Sequence, residues 1–376
     1  MKIVLIGVTS SSKNISGQSI CFDMLLEQLK KDSVSYKLLN VDIESKSNII
    51  KAINYLKVGA RLIVFYLREF KVSKLIYIAI AQSFLGFFRD FLFIWISFFF
   101  RKKIIVHLHG GNFKDFYLAQ NSFFRFIIRK TYDQCDVIIV LSNIYIDLFD
   151  FLKNYKKKVR VVENGIPEMF YNIEDKVYDK KSPNILYLSN LIESKGYLDV
   201  LRCIPLLKNK FGMNPILYFC GNFLSNSDDV TFKSIEDAKE YFFNYIKENN
   251  LEKNVFYKGL IKGNEKTEML EKANFMVLPT NYNAEGQPIS IIEGLSKGCV
   301  LITTDYRDIK YMNITEETGF HVSYNNPEAI ASCIAKVDEE RFLIISRNSI
   351  NQFKNKYSFE KHYNSLINIF YEFISK

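Results

Sequence analysis

Two glutamates lie on either side of a predicted helix start in the segment NYNAEGQPISIIEGLSKG, residues 281–298. Glu285 lies in the loop after the apolar run NFMVLPT, and Glu293, after seven intervening residues, lies more than a turn inside the helix. Pro288 in the first turn and Gly298 just past the last turn occupy positions where these residue types are favoured. The spacing therefore predicts one carboxylate in a loop and a second on the helix behind it.

This arrangement suits a nucleotide sugar. The first-turn N–H groups of the helix have no partner inside it and lie at the positive end of its dipole, so they can bind a phosphate. Gly286 lets the chain approach closely. Glu293 can accept hydrogen bonds from a ribose diol, while Glu285 reaches whatever hangs from the phosphates. Lys195 and Gly196 follow another predicted strand, in LYLSNLIESKG, where an ammonium can neutralise a diphosphate.

Ten short apolar runs recur between longer helix-like segments and position these residues. They are rich in β-branched residues and do not alternate with polar ones, which is typical of parallel strands covered on both faces. The predicted strands cover residues 2–8, 61–67, 103–109, 136–142 and 159–165, then 184–190, 215–221, 254–260, 274–280 and 299–305. The rhythm predicts an α/β fold of two doubly wound, Rossmann-like domains that face each other across a ligand-binding cleft.

The domain boundary is predicted in the polar, lysine-rich segment between the two sets of strands. We expect residues 1–166 to form the N-terminal domain, 167–183 a linker and 184–355 the C-terminal domain. Residues 356–376 have the pattern of an amphipathic helix that can pack back across the domains.

Composition and charge indicate how many cores the chain can form, which partners it favours and which redox environment it suits. The 376 residues are 48% hydrophobic, ample for two cores. A net charge of +9 favours an acidic partner, namely a phosphorylated small molecule, nucleic acid or an anionic membrane. No recognised nucleic-acid-binding module interrupts the α/β rhythm, so we expect no nucleic-acid partner. The six cysteines are scattered without a C-x-x-C motif, which suggests neither a zinc site nor a disulfide framework and fits a reducing cytoplasm.

Residues 75–103 are the one serious candidate for a membrane segment. Arg89 and Asp90 interrupt the apolar course, and the unbroken run from Phe91 to Phe100 is about half of the ~20 residues that a spanning helix needs. Two interpretations remain open. Residues 75–103 form a pair of helices buried in the N-terminal domain, or an aromatic-rich face of the 84–103 segment lies in the bilayer interface, with the basic triad Arg101, Lys102 and Lys103 at anionic head groups.

The second half resembles the retaining, metal-independent glycosyltransferases of the GT-B fold, the glycosyl transferases group 1, which include capsule and lipopolysaccharide enzymes. The motifs that carry the resemblance are VVENGIP, LYLSNLIESKG, YFCGN, VFYKGL and, most specific, the E-x(7)-E element followed by GLSKGCVLITTD. HLHGG, residues 107–111, extends the likeness to the first half. The resemblance implies a nucleotide diphospho-sugar donor, a saccharide or lipid-linked saccharide acceptor, and no cofactor or metal.

The family's functional residues map onto matching positions of this chain. By resemblance, Glu293 holds the ribose, Glu285 faces the donor sugar and Lys195 contacts the diphosphate. The backbone that meets sugar and diphosphate is supplied by Gly286, Gln287, Pro288 and Ile289. Gly17, in the loop after the first strand, resembles the glycine that approaches the donor phosphates, and His109 matches a position that touches the donor sugar or its phosphate.

One position departs from the family pattern. Asn190 stands where relatives commonly place an arginine. Either Lys195 then carries most of the leaving-group charge, or another cation such as Arg307 or Lys262 assists. His107, two residues before His109 on the same predicted strand, is the reserve choice for the histidine role.

The predicted reaction is sugar transfer with retention at the anomeric carbon, at the inner face of the cell membrane, in cell-surface polysaccharide synthesis. No pair of acids is placed recognisably as nucleophile and acid, so a glycosidase-like double displacement has little support. A dehydrogenase needs G-x-G-x-x-G after the first strand, which GVTSSSKNISG lacks. A nucleotide-sugar epimerase of similar fold and a non-catalytic nucleotide-sugar-binding protein remain the alternatives.

Overall fold

A computed structural model describes residues 2–9, 17–41, 47–69, 73–167, 176–226 and 229–374. Its contacts divide the chain into two compact units. The first consists of Met1–Gly165 together with Phe359–Lys376, and the second of Ile166–Ser358. Residues 168–175, about half of the predicted linker, lie outside the described residues.

The first unit contains a six-stranded parallel sheet in the order β2-β1-β3-β4-β5-β6. Its elements in chain order are β1 Lys2–Gly7, α1 Gly17–Lys31, β2 Tyr36–Asn40, α2 Asn48–Arg68, β3 Ser73–Ile80, α3 Phe84–Phe99, β4 Lys103–Leu108, α4 Phe113–Leu118, α5 Ser122–Tyr132, β5 Val137–Val140, α6 Tyr155–Lys158 and β6 Val159–Val161. The sheet is covered on both faces, because α2, α3 and α5 pack into one hydrophobic cluster and α1 into another.

The second unit contains another six-stranded parallel sheet, in the order β12-β11-β10-β7-β8-β9. Its elements are β7 Asn184–Leu188, α7 Tyr197–Phe211, β8 Ile216–Cys220, α8 Ile235–Glu248, β9 Val255–Gly259, α9 Gly263–Lys272, β10 Phe275–Leu278, α10 Ile289–Ser296, β11 Val300–Thr303, α11 Ile309–Met312, β12 Gly319–His321, α12 Pro327–Ala335 and α13 Glu339–Gln352. The two sheets confirm the predicted fold class of two doubly wound α/β domains.

The last helix, α14 (Phe359–Ile374), packs on the sheet of the first unit. Its Phe370 ring meets Tyr77 of β3 edge to face, with centroids 5.5 Å apart. Leu366 and Phe370 are fully buried in the cluster that α1 also covers. The first unit therefore takes part of its core from the end of the chain.

The predicted strand at residues 61–67 is wrong, because these residues form the end of α2. Ser47 caps this helix by accepting a hydrogen bond from the Ile50 N–H. Val58 and Leu62 point into the core with helical spacing. Strand β1 pairs with both β2 and β3. Strand β3 overlaps residues 75–103, the segment interpreted from the sequence as buried helices or an aromatic interfacial face. The edge strands β2 and β12 were not predicted.

The basic triad after α3 is only partly available to solvent. Lys102 is buried, and its Nζ donates to the Ser73 carbonyl at 2.7 Å. The Nζ of Lys103 forms an ion pair with Asp136 Oδ1 at 2.9 Å. Placing all three cations at lipid head groups is therefore wrong for Lys102. Arg101 is exposed and makes no ion pair with another residue in the described ranges. No helix among the described residues combines the length and apolar character that crossing a membrane requires.

Candidate functional site

The carboxyl edge of the second sheet brings Lys195 and Glu285 together. Lys195 ends a single 3₁₀ turn after β7, and Glu285 lies in the loop after β10. The lysine Nζ is 3.2 Å from Glu285 Oε2, and the two side chains are only 15% and 8% exposed. The ammonium also lies 4.9 Å from the centroid of the Tyr282 ring. The two residues form a shielded ion pair at the edge where parallel sheets bind ligands.

The backbone holds the two turns in this register. The Asn281 N–H donates to the Ser194 carbonyl at 2.7 Å, which joins the two turns directly. Gly196 has φ 75°, and a Cβ there would lie 2.4 Å from the Pro279 carbonyl oxygen. Only glycine adopts this conformation without strain and also admits so close a neighbour. The position of Lys195 therefore depends on the glycine that follows it.

Helix α10 places Glu293 behind the loop, as the spacing predicted. Pro288 is the N-cap, and its side chain makes no capping hydrogen bond. Gly294 packs the helix tightly on β10, since a Cβ there would lie 2.8 Å from Met276 Sδ. Glu293 is buried and accepts a hydrogen bond from Lys266 Nζ at 2.5 Å. Burial raises the pKa of this carboxyl, and the lysine opposes that shift.

The other predicted donor-binding positions surround this helix start. Gly286, Pro288 and Ile289 are buried. Gln287 is also buried, and its Nε2 donates to Asp308 Oδ2 at 2.8 Å, an anchor across 21 residues that the sequence did not indicate. The side chain of Gln287 thus fixes the loop through the turn after β11.

Asn190 joins the ends of β7 and β8. Its side-chain oxygen accepts from the Asn222 N–H at 3.3 Å, and its carbonyl accepts from the Tyr187 hydroxyl at 3.2 Å. Of the two cations suggested as substitutes for the family arginine, Arg307 lies over the Tyr306 ring with 5.3 Å to its centroid. Lys262 is exposed at the N-cap of α9.

Glu193 is a site neighbour that sequence reasoning missed. It lies two residues before Lys195, and its buried carboxylate accepts from the N–H groups of Val230 and Thr231 at 3.1 and 2.9 Å. The Thr231 hydroxyl also donates to it. The Glu193 carbonyl accepts from Tyr324 at 3.1 Å. Glu193 therefore fastens the polar segment after β8 to the turn that carries Lys195.

The predicted histidine lies in the first unit, at the end of β4. The rings of His107 and His109 stack with centroids 4.0 Å apart, and His362 of α14 is 6.5 Å from His107. Tyr77 Oη lies 2.7 Å from His107 Nδ1. Burial, with His362 nearby, lowers the pKa of His109 to about 3, so this imidazole is neutral at physiological pH. Gly17 is exposed at the first position of α1.

The described residues contain no group of three or more histidines, cysteines or acids placed to hold a metal ion. The rings of His107, His109 and His362 stack on one another, and their nitrogens are not arranged around a common metal position. All six cysteines are described, and all have free thiols.

Residues 171–356 match the family model for the glycosyl transferases group 1. A glycosyltransferase of Methanocaldococcus jannaschii, MJ1607, is 20% identical over 64% of this chain and 61% of its own length. The capsular polysaccharide biosynthesis glycosyltransferase CapH of Staphylococcus aureus is 25% identical over 53% of this chain and 51% of its own. The chain thus spans less than two thirds of these curated relatives.

Solved structures share the fold at low sequence identity. Anabaena Alr3699/HepE in complex with UDP has a TM-score of 0.71 and 12% identity, covering 99% of this chain and all of its own. The lipopolysaccharide outer core galactosyltransferase WaaB has a TM-score of 0.67 and 14% identity, with the same coverage. Residues 171–356 are therefore similar to the glycosyl transferases group 1, and the chain has the GT-B fold of the solved structures.

Proposed function

We propose that this protein transfers a sugar from a nucleotide diphospho-sugar to a saccharide or lipid-linked saccharide, with retention and without a metal ion. The observation that carries the proposal is the shielded pair of Lys195 and Glu285 beside the start of α10, with the buried Glu293 more than a turn behind. In this proposal, Lys195 and the start of α10 bind the diphosphate of the donor, Glu285 faces its sugar, and Glu293 binds its ribose.

The chemical difficulty of the reaction is the departure of the diphosphate, which builds negative charge. Lys195 and the first-turn N–H groups of α10 supply positive charge where that charge develops, without reorganising in water. Because Glu285 holds the ammonium at 3.2 Å, the lysine is already oriented before a donor arrives. As the donor binds, the diphosphate shares this ammonium, and Glu285 turns to the hydroxyls of the sugar.

Lys266 and Glu193 have supporting roles in this proposal. Lys266 opposes the rise in pKa that burial causes in Glu293, which favours the ionised carboxylate that can accept both hydrogen bonds of a ribose diol. Glu193 holds the turn of Lys195 from behind. The roles of Gly17, His109 and Asn190 stay predictions based on the family resemblance.

The relatives support the class of donor and pathway. HepE structures contain UDP and UDP-glucose, which supports a nucleotide-sugar donor here. CapH is a capsular polysaccharide biosynthesis glycosyltransferase, WaaB is a lipopolysaccharide outer core galactosyltransferase, and WaaG is involved in lipopolysaccharide biosynthesis. These relatives support a role in cell-surface polysaccharide synthesis. We propose that the protein works in the cytoplasm, peripherally at the inner membrane face, where lipid-linked acceptors are presented.

A two-stage experiment tests this function. Purified protein is screened against nucleotide sugars for protection from thermal unfolding, and the protecting donor is then incubated with lipid-linked saccharides and the products are analysed by mass spectrometry. The expected result is an acceptor heavier by one sugar, equally with and without EDTA. An isomerised sugar from donor alone would identify an epimerase, and donor binding without turnover on any acceptor would favour the binding protein.

A further inference from the structure

The outward face of α2 carries an unusual apolar stripe. Its 21 residues span about 31 Å. While one side of the helix is buried in the core, the other exposes apolar side chains along its whole length, including Ile49 at 73% and Leu67 at 68% exposed. The members of this stripe, here named the α2 stripe, are Ile49, Ile53, Leu56, Ala60, Ile63, Val64 and Leu67. Their spacing of three and four residues places them on one side of the helix.

Neighbouring helices extend the apolar surface. Helix α3 packs closely against α2, since a Cβ on Gly59 would lie 2.9 Å from Leu92 Cδ2. Helices α2, α3 and α5 bury their inner sides in the same hydrophobic cluster, so they cover the same face of the sheet. On α3 and α5 the exposed aromatic side chains are Phe84, Phe88, Phe98, Phe99, Phe123 and Phe126. Exposed large apolar side chains on neighbouring helices of one sheet face indicate an interaction site.

The charges beside the α2 stripe have one sign. Lys57, Arg61 and Arg68 are exposed, and their helical positions place them together along one flank of the stripe. Within residues 47–69, the described part that contains α2, the single acidic residue is Glu69, and it pairs with Lys2 at 2.8 Å. Within residues 47–69, the surface therefore combines apolar side chains with a basic flank.

This combination selects an anionic bilayer over a second copy of the chain as the occupant. In a two-fold pairing of antiparallel α2 helices, each basic flank would face its own copy, and the like charges would repel. Anionic lipid head groups instead complement the flank, while the stripe enters the boundary between head groups and acyl chains. Lys102 and Lys103, by contrast, already bind Ser73 and Asp136.

We infer that α2 is the membrane-docking element of this protein, lying in the plane of an anionic lipid surface with the α2 stripe inward and its basic flank on the head groups. This inference deepens the membrane association proposed above. Exposed aromatic rings of α3 and α5 add to the contact at the level where such rings are favoured.

Flotation with vesicles tests the inference. The full chain is mixed with vesicles containing phosphatidylglycerol, or phosphatidylcholine alone, at low salt. Each basic residue beside an anionic surface strengthens binding about five-fold, so Lys57→Gln with Arg61→Gln should weaken binding to the anionic vesicles roughly 30-fold. Leu67→Glu, which places a charge in the stripe, should weaken it at least about 10-fold.

The matched controls make the same kinds of substitution outside α2. Lys30→Gln with Lys37→Gln removes two exposed cations outside α2, and Ile344→Glu adds a charge at an exposed apolar position of α13. Both should bind vesicles within about two-fold of wild type. Circular dichroism and thermal unfolding confirm that every variant is folded, which is expected because the substituted side chains are exposed.

Three results would overturn the inference. The first is wild-type protein that does not float with anionic vesicles, and the second is α2 variants that float as wild type does. The third is a dimer in the absence of lipid that Leu67→Glu converts to monomer, which would assign the stripe to a second copy. Thermal protection of each variant by the nucleotide sugar is measured in parallel, so failed docking and failed donor binding are separate results.

Discussion

Replacing Lys195 by alanine should slow the chemical step. The lysine meets charge that grows as the diphosphate leaves, so its contribution is larger in the transition state than in the ground state. Its side chain is only 15% exposed, so water screens the interaction little. A charged hydrogen bond is worth about 1.5–3 kcal/mol. Losing it should therefore lower kcat by roughly 10- to 150-fold.

Steady-state kinetics with the donor that the thermal screen identifies measures this effect. Lys266→Ala is the matched comparison, because it also removes one partner of a lysine–glutamate pair in the same unit. Lys266 supports the ribose-binding Glu293, so its loss should raise the donor KM while leaving kcat within a few-fold. A folded Lys195→Ala enzyme with unchanged kcat would refute the assigned role. Equal effects of both variants on kcat would show that the pairs act only on the structure of the site.

Three further expectations concern the same site. Donor KM should rise as pH falls toward the pKa of Glu293, because the protonated carboxyl binds the ribose less well. This rise should begin above pH 4.5, where an exposed glutamate is still ionised. The Glu293→Gln variant should have a high KM at every pH and show no such rise. Turnover should survive EDTA, and a complete loss that magnesium reverses would contradict metal independence. Gly196→Ala should lower the free energy of unfolding by roughly 1–3 kcal/mol, because the φ of 75° and the nearby Pro279 carbonyl both oppose a side chain. Denaturant titration measures this change, and an unchanged midpoint would contradict it.

The sequence was most informative where the chain is buried on both faces. All five strands predicted in the second half correspond to β7 to β11. Four of them are central parallel strands, which show as unbroken apolar runs, while β9 is an edge strand. The position of the helix start followed from end-specific residues, although Pro288 is the N-cap of α10 rather than a residue of its first turn. The partners of the site residues did not follow. Lys266 and Asp308 lie 27 and 21 residues from the side chains they hold, and only the folded sheet brings them there.

The misassigned strand at 61–67 and the proposed docking face have one physical origin. A helix at the surface of a soluble domain usually shows its period because polar residues occupy the outward positions. In α2 those positions are held by Ile63, Val64 and Leu67, so the run is apolar on both sides and resembles a buried strand. Tertiary packing, not local pattern, decides that the segment is helical. The same outward apolar residues that obscure the helical period are the ones that we infer to lie in the bilayer interface.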